Sequence, residues 1–171
     1  IPLALELAAA RVASLAVRDI NARLKDRYKL LTGGSRVLQE RQQTLRALVD
    51  WSYDLLNPSE QTLLQRLGVF VGGFDLAAAE AVCGHDPLDP LDVLDLLTSL
   101  VDKSLLLFDE GSTGRGRYRM LETLRDYAVE KAQAAGQLQA TQARHVEHFF
   151  NVARQLRDGL RGAEQAEWVA C

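Results

Sequence analysis

The sequence holds two cysteines, one methionine, four prolines and little aromatic surface, with Phe, Trp and Tyr making up 6% of its 171 residues. Cys83 and Cys171 stand far apart and match no metal or redox spacing. That excludes a disulfide scaffold or a zinc module and points to a reducing, cytoplasmic setting. No apolar run approaches the roughly 20 residues a membrane span needs, so no membrane partner is expected. No basic segment leads into an apolar stretch as a secretory signal would. An excess of positive charge is missing too. Twenty Lys and Arg face 23 Asp and Glu, a formal net charge of −3, which argues against a general polyanion binder but allows a local basic patch. What is present is ordinary for a globular chain: 47% hydrophobic and 25% charged residues, the apolar share mostly Leu and Ala, which favour helices. The chain opens inside a helical pattern without an initiator Met and reads as a piece of a longer protein.

Helical punctuation divides the sequence. Pro2 suits a first helical turn, where its missing N–H costs nothing, and Leu3, Leu7 and Ala10 continue an apolar helix. Val17, Ile20 and Leu24 share one face of a second helix. Thr32-Gly33-Gly34-Ser35 and the polar run 39–43 read as a linker. A third helix is expected over 44–56, with Leu45, Leu48, Val49, Ser52 and Leu55 inward. Asn57-Pro58-Ser59-Glu60 is a restart signal: an Asn cap, Pro in the first helical position, and Glu three residues after the cap. The fourth helix buries Leu63, Leu64 and Leu67 and stops at Gly68. Asp75 caps a short helix to Cys83, and another runs over about 90–102. Residues 104–108, a Gly-Ser-Thr-Gly turn at 111–114, and the alternating 117–121 make a β-hairpin. Helices over 122–135 and 138–158 follow, the second with Val146, Phe149, Phe150, Ala153 and Leu156 on one face. Three helices and then a hairpin is the order of a winged helix.

Several collinear motifs resemble those that follow the nucleotide-binding core in STAND-class, NB-ARC-like ATPases. They are Ile1-Pro2-Leu3-Ala4-Leu5-Glu6-Leu7-Ala8-Ala9, Asp50-Trp51-Ser52-Tyr53-Asp54-Leu55-Leu56, Leu67-Gly68-Val69-Phe70-Val71-Gly72-Gly73-Phe74, Leu100-Val101-Asp102-Lys103-Ser104-Leu105 and Arg117-Tyr118-Arg119-Met120-Leu121-Glu122-Thr123-Leu124. The likeness is to large bacterial regulators of the LuxR and SARP types. It implies a mainly α chain: a small helical domain at 1–38, a winged-helix domain at 40–132 and the start of tetratricopeptide-like helices at 137–171. It further implies a regulatory switch, in which ADP between the upstream nucleotide-binding domain and these two domains holds the parent protein closed and exchange for ATP opens it about a hinge at 32–43. Pro2 would pack against adenine. Met120-Leu121-Glu122 aligns with a Met-His-Asp motif whose His touches the ADP β-phosphate. Leu121 departs from that pattern and cannot donate a hydrogen bond, so Arg119 is the neighbouring group placed to supply the contact.

The chemistry of this chain alone is limited. None of Lys25, Lys29, Lys103 and Lys131 follows a phosphate-cradling loop, so the chain is not expected to be an enzyme or to hold ADP or ATP by itself. No Ser/His/Asp, Cys/His or paired-carboxylate arrangement argues for catalysis. His145 and His148 lack a third metal ligand and read as solvated, and His85 as a loop residue. Trp51 and Tyr53 read as core or junction packing, and Cys83 as a small buried hydrophobe. In the helix before the hairpin, Leu91, Leu94, Leu97 and Val101 would face inward, leaving Asp92, Asp95, Ser99 and Asp102 outward. Carboxylates repel a phosphate-lined groove. Direct DNA binding is therefore not expected, although Lys103, Arg115, Arg117 and Arg119 make the hairpin basic. The expected partners are the upstream nucleotide-binding domain and proteins met through the C-terminal helices. Two alternatives stand beside the switch: a stand-alone DNA-binding winged helix, and a helical interaction module.

Overall fold

The computed structural model describes residues 37–110 and 116–160, together with Val12, Ala16 and Arg18. The expected domain at 1–38 with its Pro2 and most of the hinge, the hairpin turn with Arg115, and residues 161–171 fall almost wholly outside the described residues. The described order is α1 (Val37–Asp54), α2 (Pro58–Leu67), α3 (Leu76–Cys83), a 3-10 turn (Pro90–Asp92), α4 (Val93–Asp102), β1 (Leu107–Glu110), β2 (Gly116–Arg119), α5 (Glu122–Ala134) and α6 (Leu138–Leu160). The fold is mainly helical, and α2, α3 and α4 followed by the hairpin give the winged-helix order.

Local signals place the helix starts. Asn57 Oδ1 accepts from the Glu60 N–H and Glu60 Oε2 accepts from the Asn57 N–H, both at 2.9 Å, a reciprocal cap that starts α2. Asp75 accepts from the Ala78 N–H at 2.8 Å and starts α3. Asp89 accepts from the Leu91 N–H and opens the 3-10 turn instead of the α-helix itself. That turn shifts the frame of α4. Val93, Leu97 and Leu100 are fully buried, whereas Leu91 is 86% exposed and Leu94 45% exposed, against the inward placement expected for both. α1 also begins earlier than expected, at Val37, because the polar run 39–43 is rich in Gln, Glu and Arg, which suit a helix as well as a linker.

The core joins Leu63, Leu64 and Leu67 of α2, Ala79 and Val82 of α3, Val93, Leu97 and Leu100 of α4, and Leu124 and Ala128 of α5. Each fully buried leucine contributes about 1.5–3 kcal/mol. The hairpin starts later than expected. Ser104 adopts φ 57°, and the N–H groups of Leu105 and Leu106 both bond the Leu100 carbonyl, so these residues close α4 and enter the core before β1 begins. Phe108 of β1 lies opposite Tyr118 of β2. Tyr118 exchanges backbone hydrogen bonds of 2.8 and 3.0 Å with Phe74, which adds a single-residue third strand.

α1 is tied down by polar chemistry as well as burial. Trp51 and Tyr53 are buried, as expected for packing residues. The Tyr127 hydroxyl of α5 donates to Asp50 at 2.6 Å, and the Lys131 ammonium lies 5.1 Å from both the Tyr53 and Tyr127 rings. Burial and the Asp50 carboxylate push the Tyr127 phenol up from its ordinary value. α6 docks through Thr141, His145, His148 and Val152, at successive i+4, i+3 and i+4 spacing, and leaves Val146, Phe149 and Phe150 largely exposed. Its histidines are therefore on the inward side and not the solvated one. Among the described residues no helix is long and apolar enough to cross a membrane.

Candidate nucleic-acid interface

α3, the turn 84–89 and α4 form a helix-turn-helix, and two charged residues of α2 hold it. Arg66 lies on the buried side of α2 and is only 2% exposed. Its guanidinium donates to the carbonyls of Cys83 at 2.7 Å, His85 at 2.6 Å and Asp86 at 2.8 Å. Its Nε donates to Gln137 at the α5–α6 junction at 3.0 Å. The three carbonyls belong to the C-terminal end of α3 and to the turn, where a helix end leaves acceptors without intrahelical partners; those of Cys83 and His85 also accept from the His85 and Leu88 N–H groups. One cation thus fixes the turn leading into α4.

Glu60 fixes α4 itself. Its carboxylate accepts from Ser99 Oγ at 2.5 Å and from Lys103 Nζ, both at the C-terminal end of α4. Burial alone pushes this carboxyl up. The hydrogen bonds from Lys103, Ser99 and the Asn57 N–H outweigh that, and its pKa lies below the ordinary value. Ser99 is consequently half-buried and not on the outward face where it was expected. Neither role was read from the sequence. A signal was present for Arg66, a charged residue on the same helical side as Leu63 and Leu67.

The outward surface of α4 and its leading turn carries Asp89, Leu91, Asp92, Leu94, Asp95, Thr98 and Asp102, all exposed. The hairpin presents Arg117 and Arg119, also exposed, on the side that meets Gly73. Arg117 donates to the Gly73 carbonyl at 3.2 Å, and Arg119 pairs with Asp109 at 3.3 Å. Lys103 is engaged by Glu60, and the two arginines of β2, each held by one exposed contact, are among the described cations that could turn toward a polyanion. Arg119, Met120, Leu121 and Glu122 lie together at the β2–α5 junction. Met120 is half-buried, Leu121 is 37% exposed, and Leu121 begins α5 without a side-chain cap. Pro2 lies outside the described residues. Among the described residues no group of three His, Cys, Asp or Glu side chains could hold a metal ion. Cys83 is buried, with its thiol pushed up to about 12 by burial, which makes it unreactive.

Residues 56–133 match the family described as winged helix-turn-helix domain. This stretch is a winged helix-turn-helix domain. The chain is also homologous to a Mycobacterium tuberculosis protein named, provisionally, as an HTH-type transcriptional regulator (Rv0890c), with 52% identity over 156 residues, 91% of this chain and 18% of that protein. A Mycobacterium bovis protein of the same naming (Mb0914c) is equally similar. An uncharacterised M. tuberculosis protein (Rv0894) is 40% identical over 163 residues, 95% of this chain and 41% of its own length. The chain therefore spans between about a fifth and two fifths of these relatives. No solved structure matches.

The winged-helix assignment overturns the expectation that direct DNA binding is not to be looked for. A helix-turn-helix sets its second helix in the major groove, and the hairpin reinforces that arrangement. The expectation failed because it weighed α4 as though it had to hold phosphates. Phosphate contacts position a protein and come from other elements, while a carboxylate on the reading helix can accept from a cytosine amino group.

Proposed function

We propose that this chain is the DNA-contacting winged-helix part of a bacterial transcriptional regulator acting in the cytoplasm. The observation that carries the reading is the helix-turn-helix itself, pinned at its turn by Arg66 and at α4 by Glu60, and followed by a hairpin with two exposed arginines. The name of the M. tuberculosis relative supports it. In this reading Arg117 and Arg119 hold the phosphate backbone, and the outward residues of α4 meet base edges. Binding of a duplex fragment, measured against salt, tests it. Arg117→Glu/Arg119→Glu should weaken binding on every sequence and reduce the salt slope by about 1 to 2. A slope that the double variant leaves unchanged, or no duplex binding even at low salt, would falsify this reading.

A second reading is favoured by the collinear motifs and by the contiguous junction at Arg119, Met120, Leu121 and Glu122, where all but Met120 are exposed. Here the winged helix is the moving part of a nucleotide-gated ATPase. ADP or ATP is held by an upstream domain of the parent, and this chain, lacking a P-loop, is no enzyme alone. Titrating fluorescent ADP against the full-length parent tests it: tight binding is expected, and no binding ends it.

A further inference from the structure

A groove of about 430 Å³ lies between α6, β2 and the segment that joins α2 to α3, and neither reading uses it. Its size falls among small-molecule sites, roughly 300–1,000 Å³. The apolar wall is aromatic. Phe70 stands 4.7 Å from Phe74 and 6.4 Å from Phe149, the second pair edge to face at 75°. Phe70 and Phe74 belong to the buried core, so this wall is anchored, whereas Phe149 is 42% exposed and borders the opening.

Four polar side chains line the same groove: Asp75 of α3, Arg117 of β2, and His145 and His148 of α6. Asp75 is already used, since its carboxylate accepts from the Ala78 N–H to start α3. Arg117 is exposed and donates to the neutral Gly73 carbonyl at 3.2 Å, the long end of the hydrogen-bond range. Rings hold both imidazoles. His145 lies 5.1 Å from Phe70 and 4.7 Å from Phe149, and His148 lies 5.1 Å from Phe149.

A guanidinium is a permanent cation with a fork of donors, and each neutral imidazole adds one N–H. The groove therefore sets one fixed positive charge and two further donors beside aromatic faces, against a single carboxylate. That lining suits a flat apolar molecule with one negative charge. The Arg fork matches a planar carboxylate two on two. Asp75 selects against a dianion, which it repels twice as strongly as a monoanion at the same distance.

We propose that this groove binds a small aromatic monocarboxylate, its ring among Phe70, Phe74 and Phe149 and its carboxylate on Arg117, with His145 and His148 donating beside it. The site is independent of the DNA reading, and no DNA enters its test.

Isothermal titration calorimetry of the full chain at pH 7.5 reads the site with three probes. They are 2-naphthoate, its uncharged isostere 2-naphthamide, and the dianion 2-naphthyl phosphate. 2-Naphthoate should bind one to one with a Kd on the order of 0.1 mM or below. 2-Naphthamide should bind at least about tenfold more weakly, and 2-naphthyl phosphate no more tightly than the carboxylate. Arg117→Gln should weaken 2-naphthoate about tenfold and leave 2-naphthamide within about twofold, which separates a lost charge from a collapsed groove. Val152→Trp, which fills the groove from α6, should weaken both, whereas Arg154→Gln, on α6 outside it, should change neither. Circular dichroism establishes that each variant is folded. No saturable binding of 2-naphthoate overturns the proposal, as does equal affinity for the carboxylate and the amide. Tighter binding of the phosphate overturns the assignment to a monoanion. Affinities that Arg117→Gln and a folded Val152→Trp leave unchanged would place the ligand elsewhere and overturn it too.

Discussion

Glu60 and Arg66 lie six positions apart on α2, each 2% exposed, and hold opposite parts of the same reading unit: Glu60 the end of α4, Arg66 the turn before it. Two buried charges of opposite sign do not pair with each other here. Each is satisfied by groups of the helix-turn-helix, so a single helix sets both the position and the angle of α4. Burying a charge is costly unless its hydrogen bonds are made. That cost ties the geometry of α4 to folding, because a displaced turn or helix would strand a charge.

Replacing Arg66 should therefore be severe. Arg66→Met keeps the stem but removes three charge-assisted hydrogen bonds, to the Cys83, His85 and Asp86 carbonyls, each worth about 1.5–3 kcal/mol, although the Cys83 and His85 carbonyls keep backbone donors in the His85 and Leu88 N–H groups. A loss of about 3 kcal/mol or more is expected, which is a drop in Tm on the order of 10 °C or more for a domain of this size. Arg66→Lys should recover less than half of it, since one ammonium cannot reach three diverging carbonyls as a planar fork does. Thermal unfolding followed by circular dichroism measures both. A Tm drop under about 3 °C for Arg66→Met would show that the turn holds itself.

Glu60 makes stability depend on acid. Its carboxyl titrates lower in the folded chain than in the unfolded one, so near pH 4 the unfolded chain binds more protons. The contribution is complete above the ordinary carboxyl value of about 4.5 and is lost as pH falls through the lower folded value. Glu60→Gln should be less stable than wild type at pH 7, and the gap should shrink steadily below pH 4.5. Urea midpoints at pH 7, 5 and 3.5 test this. A gap of constant size across that range would mean the carboxylate charge plays no part.

The wing tests backbone against side chain. Gly73 stands at φ +116°, and a Cβ there would approach the Tyr118 carbonyl to 2.9 Å, a backbone atom held by the Phe74 ladder. A Cβ on Gly116 would come to 2.6 Å from the Phe108 ring, but that ring is 46% exposed and can swing. Gly73→Ala should cost about 2–3 kcal/mol and Gly116→Ala about 1 kcal/mol or less. Equal losses in chemical denaturation would contradict this ranking.

What the sequence disclosed follows the same division between local and long-range forces. The Asn57 cap, the Asp75 cap and the apolar positions Leu63, Leu64 and Leu67 are local, and each is where the pattern puts it. Leu91 and Leu94 were misplaced because a 3-10 turn before α4 breaks the period on which an inward face is counted. Glu60 meets Ser99, and Arg66 the Cys83 carbonyl, across long gaps in sequence, between elements whose pairing no spacing rule gives. The acidity of α4 was legible and correct. Its use against DNA binding failed because it treated one helix as the whole interface.

The histidines give the chain a response in the range around neutrality. His145 is half-buried, its ring 5.1 Å from Phe70 and 4.7 Å from Phe149, and burial followed by nearby His148 lowers its pKa below the ordinary 6.5. Asp75 of α3, Arg117 of β2 and His148 line the same groove. His85 in the α3–α4 turn is lowered as well, first by burial and then by Arg66 and Arg144. For a base whose folded pKa is depressed, the unfolded chain takes up protons first. Stability is therefore full above about pH 6.5 and declines as pH falls from there through the folded values. Wild type should lose stability between pH 7.5 and 5.5, before the carboxylates titrate. His145→Phe should remove part of that loss, and His85→Leu/His145→Phe nearly all of it. Urea unfolding at the two pH values measures the difference. If His145→Phe keeps the whole wild-type decline, the imidazole among Phe70 and Phe149 is not the group that senses acid.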